Sequence, residues 1–216
     1  VVPMLAERTW LHLEEGRLQE ALEMTTLISE VESKNPDYLI LRGRLLQGLG
    51  QLQNAEATFG SVSKLRNDRV AEENQLLCKR LIQLFGSKEP LPLNAQAMLV
   101  QAFSRQNRVK DGKLMAAEIK SKSSELMPIL EQRLRSIQGW DPGRIRKLDD
   151  GTFAVDLSKL QWTSLEPLES MPVSELTLSD SGAGLPAQAF DALHRVPLRS
   201  LTVRNGGLKS VEFLKG

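Results

Sequence analysis

Apolar and polar residues recur with a fixed period at the start of the chain. Residues 16–21 (Gly-Arg-Leu-Gln-Glu-Ala) match residues 50–55 (Gly-Gln-Leu-Gln-Asn-Ala) at an offset of 34 residues. The same offset pairs Leu5 with Leu39, Thr9 with Gly43, His12 with Leu46 and Ile28 with Val62. This spacing predicts two successive helical hairpins, in which a glycine makes each turn and small residues let the helices approach closely.

This layout resembles the tetratricopeptide repeat, a helical hairpin whose period is about 34 residues. The second copy follows the family pattern more closely, with Leu39, Gly43, Leu46, Gly50, Ala55 and Phe59. The first copy departs from it, because His12 replaces the usual aromatic residue and Thr25 the usual large one. The alternative is a pair of unrelated hairpins that share a spacing.

Helical spacing continues between the second copy and Ile137. Val70, Leu77 and Leu81 predict one helix, and the turn-rich segment 86–92 ends it. Residues 94–120 predict a further hairpin, and a last amphipathic helix at Ser124–Ile137 would cap the stack. Stacked repeats need about three units for stability, so this material is expected to complete an all-α superhelix.

Short alternating runs replace the helical period after residue 139. Residues 153–157, 174–178 and 200–203 each alternate apolar with polar side chains, which predicts strands with one buried face. Val155, Leu176 and Leu201 are separated by 21 and then 25 residues. The sequence therefore predicts two domains, a helical-repeat domain over 1–139 and a second domain over 140–216.

The second domain resembles a leucine-rich repeat, whose period is about 20 to 29 residues. Trp162, Leu165 and Leu168 align with Leu208, Val211 and Leu214, and residues 185–193 resemble the convex half of a repeat. The family's usual Asn position holds Leu160, Ser181 and Gly206, which departs from the pattern. An ordinary small α+β sheet is the alternative.

The whole chain is thus expected to be of the α+β class, with a tetratricopeptide-like superhelix followed by a small leucine-rich-repeat-like α/β segment. The final copy breaks off at Gly216, so further turns are expected in a parent protein. An open end of this kind predicts self-association through the leucine-rich segment.

Composition and residue types disfavour several function classes. The net charge is +1 with basic and acidic residues interleaved, so no nucleic-acid partner is expected. No apolar run is long enough to predict membrane insertion. The single Cys78 and the two histidines, His12 and His194, have no partners at metal or triad spacing. We therefore expect no catalytic residue, no metal and no cofactor, and hence not an enzyme.

Binding surfaces follow from the tetratricopeptide resemblance, which implies that the first helix of each hairpin lines a concave groove. The outward positions would then be Ala6, Trp10, Leu13, Ile40, Arg44 and Gln47. Trp10 and Arg44 occupy the same position in successive copies and would form a peptide anchor. Packing of Trp10 against a neighbouring helix is the alternative. The family's Lys/Asn clamp for a C-terminal carboxylate is not reproduced.

The expected function is a non-enzymatic scaffold that binds proteins or peptides. The combination of the two repeat types resembles the C-terminal regions of large bacterial Ser/Thr kinases and related signalling proteins. That resemblance implies a regulatory or docking region of a larger protein. The alternative function is an architectural spacer or a self-association module.

Overall fold

The computed structural model describes residues 2–87, 89–179 and 192–204. Its helices are α1 (Val2–Glu15), α2 (Leu18–Val31), α3 (Pro36–Gly48), α4 (Leu52–Leu65), α5 (Arg69–Phe85), α6 (Leu93–Arg105) and α7 (Lys113–Leu134). Its strands are β1 (Ile145–Lys147), β2 (Phe153–Asp156), β3 (Val173–Ser179) and β4 (Ser200–Arg204). Across these residues, seven helices precede one four-stranded sheet, which confirms the α+β class with an all-helical N-terminal part.

The chain divides into two compact units. The helical unit comprises Val1–Leu91 and Ala102–Met115, and the strand unit comprises Pro92–Gln101 and Ala116–Gly216. Each unit therefore uses two separate stretches of sequence. The predicted boundary between residues 139 and 140 stays a prediction.

Local sequence signals explain where the helices of the helical unit begin. Asn35 caps α3, because its Oδ1 accepts a hydrogen bond from the Asp37 amide at 3.1 Å, and Pro36 takes the first helical position. Asp68 caps α5 in the same way by accepting from the Ala71 amide at 3.1 Å. That hydrogen bond is the main cause that lowers the pKa of Asp68.

The turns that follow α1, α3 and α6 have the same backbone geometry. Gly16 and Gly50 have φ values of 78° and 79°, and Asn107 has a φ of 56°. Each turn is closed by an amide that donates to the carbonyl five residues earlier: Arg17 to His12 at 2.8 Å, Gln51 to Leu46 at 2.9 Å and Arg108 to Phe103 at 2.7 Å. Gly and Asn tolerate this left-handed conformation. The three helices therefore end in the same kind of turn, although their sequences differ.

Close packing of consecutive helices builds the core of the helical unit. Each of α1 to α4 packs against the next helix in the chain. At Gly43 a Cβ would lie 2.7 Å from the Phe59 ring, so the predicted close approach of α3 and α4 requires a glycine there. Leu18, Ile28 and Leu45 are almost fully buried beside them.

The helix α7 differs from the prediction of two elements in this region. A hairpin ending near residue 120 and a separate helix at Ser124–Ile137 were expected, but one helix of 22 residues covers Lys113–Leu134. The hydroxyls of Ser121 and Ser123 donate to carbonyls three residues earlier in the same helix, so these serines do not interrupt it. Pro128 also lies inside the helix.

The sheet has the order β1-β2-β3-β4. β1 is antiparallel to β2, whereas β2, β3 and β4 are parallel. Val155 is in register with Leu176, and Leu176 with Leu201. The three residues that share a position in the predicted strand repeat are therefore neighbours in the sheet.

One face of the sheet covers an apolar core. Phe153, Val155, Leu176 and Leu178 are buried, and Leu130 and Leu134 of α7 belong to the same cluster. Several predicted repeat positions lie outside the described residues, namely 185–191, 208–214, Ser181 and Gly206. None of the described helices is long and apolar enough to cross a lipid bilayer.

Candidate functional site

The predicted peptide-binding residues of α1 and α3 differ in exposure. Trp10 keeps 49% of its surface exposed, and Ile40 is partly buried. Leu13 and Gln47 are buried, so the expectation that they face outward is wrong. Gln47 is covered because its amide contacts α5, as described below. A role of Trp10 and Ile40 in peptide binding stays a prediction.

Arg44, the proposed companion of Trp10, already has a carboxylate partner within the chain. Its Nε and Nη2 donate to the two carboxylate oxygens of Asp111 at 3.0 and 3.1 Å. Asp111 is buried and lies in a short 3-10 helix at Val109–Gly112. The guanidinium of Arg44, which the sequence predicts as a peptide anchor, therefore already forms an ion pair within the chain.

Arg108 is the centre of the same arrangement. Its Nε donates to Asp111 at 2.7 Å, and its two Nη groups donate to Asn74 Oδ1 at 2.8 Å and Gln47 Oε1 at 3.1 Å. The guanidinium also lies 4.7 Å from the centre of the Phe103 ring. Burial lowers the pKa of Arg108, and the charge of Asp111 opposes that shift.

Gln47 extends the contacts to a thiol on α5. Its Nε2 donates to the Asn74 carbonyl at 3.4 Å and lies 3.3 Å from Cys78 Sγ. Burial raises the pKa of the Cys78 thiol to about 11, against the hydrogen bond from Gln47 that lowers it. A buried, protonated thiol is unreactive.

We refer to these six side chains as the buried polar cluster: Arg44, Gln47, Asn74, Cys78, Arg108 and Asp111. The cluster joins α3, α5 and the segment that contains the 3-10 helix. Its groups are satisfied mainly by one another, as buried polar groups must be. Its evident role is to hold the helical unit together.

The strand unit carries an open groove on the face of the sheet opposite its core. The groove has a volume of about 640 Å³. Its floor consists of alternate residues of β2 and β3, namely Ala154, Asp156, Glu175 and Thr177. Its charged margin consists of Asp141, Arg144, Arg146, Lys159 and Arg204. We refer to this cavity as the strand-face groove.

The carboxylates of the strand-face groove have donors within the protein. Glu175 accepts from Arg146 at 3.1 Å, and Asp141 accepts from the Gly143 amide at 2.9 Å. Asp156 accepts from the Ser158 amide at 2.8 Å. Burial raises the pKa of Asp156, but hydrogen bonds from Ser158 and the charges of Arg144 and Arg204 outweigh it and lower that pKa.

The cations of the groove are held differently. Arg144 Nη1 donates to the Asp156 and Ser158 carbonyls at 3.3 and 2.8 Å, so neutral groups position a full positive charge. Lys159 is exposed and has a φ of 61°, which is uncommon for a residue with a long side chain. The Ser179 hydroxyl accepts from the Lys159 amide at 2.6 Å and helps to hold this turn.

Part of this groove could have been found from the sequence. The alternation that predicts the strands also predicts that Ala154, Asp156, Glu175 and Thr177 share the face opposite the apolar core. Nothing in that alternation indicates Arg144 or Lys159, because each lies outside the strands and reaches the groove through the local turn.

Residue types that bind metals remain apart in the part of the chain that the structure describes. Across that part, no group of three or more His, Cys, Asp and Glu side chains could hold a metal ion. His12 lies in α1, and His194 lies in a 3-10 helix at Ala192–Arg195.

Comparisons with models of known protein families, with characterised proteins and with solved structures give no match to this chain. Its function must therefore be inferred from the side chains described above.

Proposed function

We propose that this chain is a non-enzymatic protein-interaction scaffold, and that the strand-face groove is a surface on which it receives a partner. The observation that carries the proposal is the groove itself. Parallel strands present a floor of short or internally paired side chains, and charged groups surround it. The short side chains of the floor leave room for a peptide, and the charged groups of the margin would orient that peptide.

Two regularities support a repeat architecture of the tetratricopeptide and leucine-rich types. Gly16 and Gly50 make equivalent turns at the predicted offset. Val155, Leu176 and Leu201 form a register row across parallel strands. Repeat proteins of both kinds act mainly through extended surfaces, which favours recognition over chemistry.

The helical surface is a second, weaker part of the proposal. Trp10 is half exposed, and the aromatic side chain gives a large contact area at low entropic cost. Arg44 is committed to Asp111, so Trp10 and Ile40 rather than Arg44 would contact a partner. The resemblance to regulatory regions of bacterial signalling kinases favours a docking role within a larger protein.

Site-specific photo-crosslinking tests the proposal. A photo-reactive amino acid is placed at position 177 in the groove, at position 10 on α1, or at exposed position 73 on α5 as a control. Adducts with another protein at position 177 or 10, but not 73, would support the scaffold function. Adducts only between two copies would favour the self-association alternative, and no adducts at 177 or 10 would contradict the proposal.

A further inference from the structure

We infer that the partner segment of the strand-face groove is an extended, acidic stretch of protein. The inference rests on the proposed function and names the chemistry that the groove recognises. Its basis is the charge of the groove lining, in which the cations outnumber the carboxylates by four to three and, among the described residues, only one of these cations, Arg146, forms an ion pair.

The floor of the groove suits an extended chain. Ala154 and Glu175 share one register row across the strands, and Asp156, Thr177 and Thr202 share the next. Ala154 and Thr177 are short, so they leave a trough between Arg146 on β1 and Arg204 on β4. Three strand spacings amount to about 14 Å, which matches about four residues of extended peptide.

Each carboxylate of the groove accepts a hydrogen bond within the protein. Glu175 has Arg146 at 3.1 Å, Asp156 has the Ser158 amide at 2.8 Å, and Asp141 has the Gly143 amide at 2.9 Å. A basic peptide would have to compete with these donors.

The cations of the groove outnumber its carboxylates, and in the part of the chain that the structure describes only Arg146 is in an ion pair. Among the described residues, Arg144, Lys159 and Arg204 form no ion pair with a carboxylate. Arg144 is oriented by two carbonyls, and Lys159 and Arg204 are exposed. Carboxylates of a bound segment would therefore gain direct charge-assisted hydrogen bonds from these cations, whereas Arg144 and Arg204 act on Asp156 only at longer range.

The backbone at Lys159 favours a recognition role for its side chain. The other described left-handed residues are five glycines and Asn107, which are residue types that tolerate this conformation. A lysine gains nothing conformationally at such a position. What lysine provides at this position, and glycine would not, is a positive charge at the groove.

Peptide titration of the full chain tests the inference. Three fluorescent ten-residue peptides alternate Ser with Glu, Gln or Lys, and anisotropy is measured at about 20 mM and about 300 mM salt. We expect saturable binding of the Glu peptide alone, weakened by salt. Preference for the Gln or Lys peptide, or for a phosphoserine peptide over the Glu peptide, would overturn the inference.

Matched variants locate the binding. Lys159→Gln and Arg204→Gln should each weaken binding of the Glu peptide by about fivefold. Lys147→Gln, an exposed β1 cation outside the groove lining, should leave it unchanged. Lys159→Gly should weaken binding as Lys159→Gln does while the chain stays folded by circular dichroism. Equal effects of the position 147 and position 159 changes would contradict the assignment.

The crosslinking experiment separates the two levels of failure. If position 177 captures a partner but the Glu peptide does not bind, the groove binds proteins of another chemistry and only the inference fails. If position 177 captures nothing and none of the peptides binds, both the inference and this part of the proposed function fail.

Discussion

The two units of the molecule both place arginines beside carboxylates, but they give these charges opposite access to water. In the helical unit, the side chains of Arg108 and Asp111 are 6% and 3% exposed. In the strand unit, those of Arg146 and Glu175 are 68% and 45% exposed. The same residue types thus occur in two environments with different energetics.

This difference separates structural charges from charges that can take part in binding. A buried ion pair that loses one member leaves the other charge desolvated and uncompensated, so its members are fixed. An exposed pair contributes little to stability, so its charges are not fixed by folding. The buried polar cluster therefore belongs to folding, whereas the exposed cations of the strand-face groove can take part in recognition.

The substitution Asp111→Ala is expected to have the largest effect on stability. It leaves the guanidinium of Arg108 buried without a carboxylate and also frees Arg44. We expect the free energy of unfolding to fall by about 4 kcal/mol in urea denaturation. The control Asp37→Ala removes an exposed partner of Arg66 and should cost less than about 1 kcal/mol. Equal losses for the two variants would contradict the contrast between buried and exposed pairs.

The second prediction concerns the pH dependence that Cys78 confers on the helical unit. Its thiol has a pKa of about 11 in the folded chain, against 9.0 when unperturbed. Between these values only the unfolded state releases the proton, so the free energy of unfolding falls as pH rises from 9 to 11. The fall should be about 2 kcal/mol larger than in Cys78→Ala, measured by urea denaturation at each pH. Parallel pH profiles for the two proteins would show that the thiol is not buried as described.

The third prediction compares left-handed residues in the two units. Gly16→Ala adds a Cβ that meets nothing nearer than 3.5 Å, so only backbone strain should lower the stability, by about 1 kcal/mol. Lys159→Gly relieves such strain and should raise the stability by a similar amount, about 1 kcal/mol. Lys159→Ala serves as the control, because it removes the charge but keeps the strain. Thermal unfolding measures all three, and a loss of stability in Lys159→Gly would argue against a recognition role for this lysine.

The smallest expected effect is on Trp10. Because half of its surface is exposed, Trp10→Ala should change the free energy of unfolding by less than about 1 kcal/mol. Gln47→Ala is the matched change at a buried predicted site and should cost about 2 kcal/mol, since it leaves Arg108 with one acceptor fewer. A larger loss for Trp10 than for Gln47 in chemical denaturation would show that Trp10 is a packing residue.

Local sequence signals predicted much of the fold. The 34-residue offset identified Gly16 and Gly50 as equivalent turns, because a left-handed residue after a helix depends on nearby backbone bonds. Alternation identified the strands that pair through Val155, Leu176 and Leu201. These features are local or periodic, so a single sequence contains them.

Features that depend on distant partners were not predictable in this way. Arg44 and Gln47 occupy outward positions in the repeat pattern, yet their partners Asp111 and Arg108 lie 67 and 61 residues further along. Helix α7 runs without a break from Lys113 to Leu134, where the sequence predicted two separate elements. The alternation of apolar and polar residues predicts the floor of the strand-face groove. It does not predict the margin, because the margin residues lie in turns and periodicity does not specify the conformation of a turn.

The side-chain amide of Asn94 in α6 affects how the strand unit can be synthesised or divided. Asn94 donates to the carbonyls of Glu169 and Arg195, which lie 75 and 101 residues later in the chain. During synthesis, this end of α6 therefore emerges from the ribosome long before the groups that complete it. A fragment that begins at residue 140 would lack both Asn94 and the α7 leucines of the strand core. Such a fragment should be recovered as aggregate or protease-sensitive chain rather than as a working module.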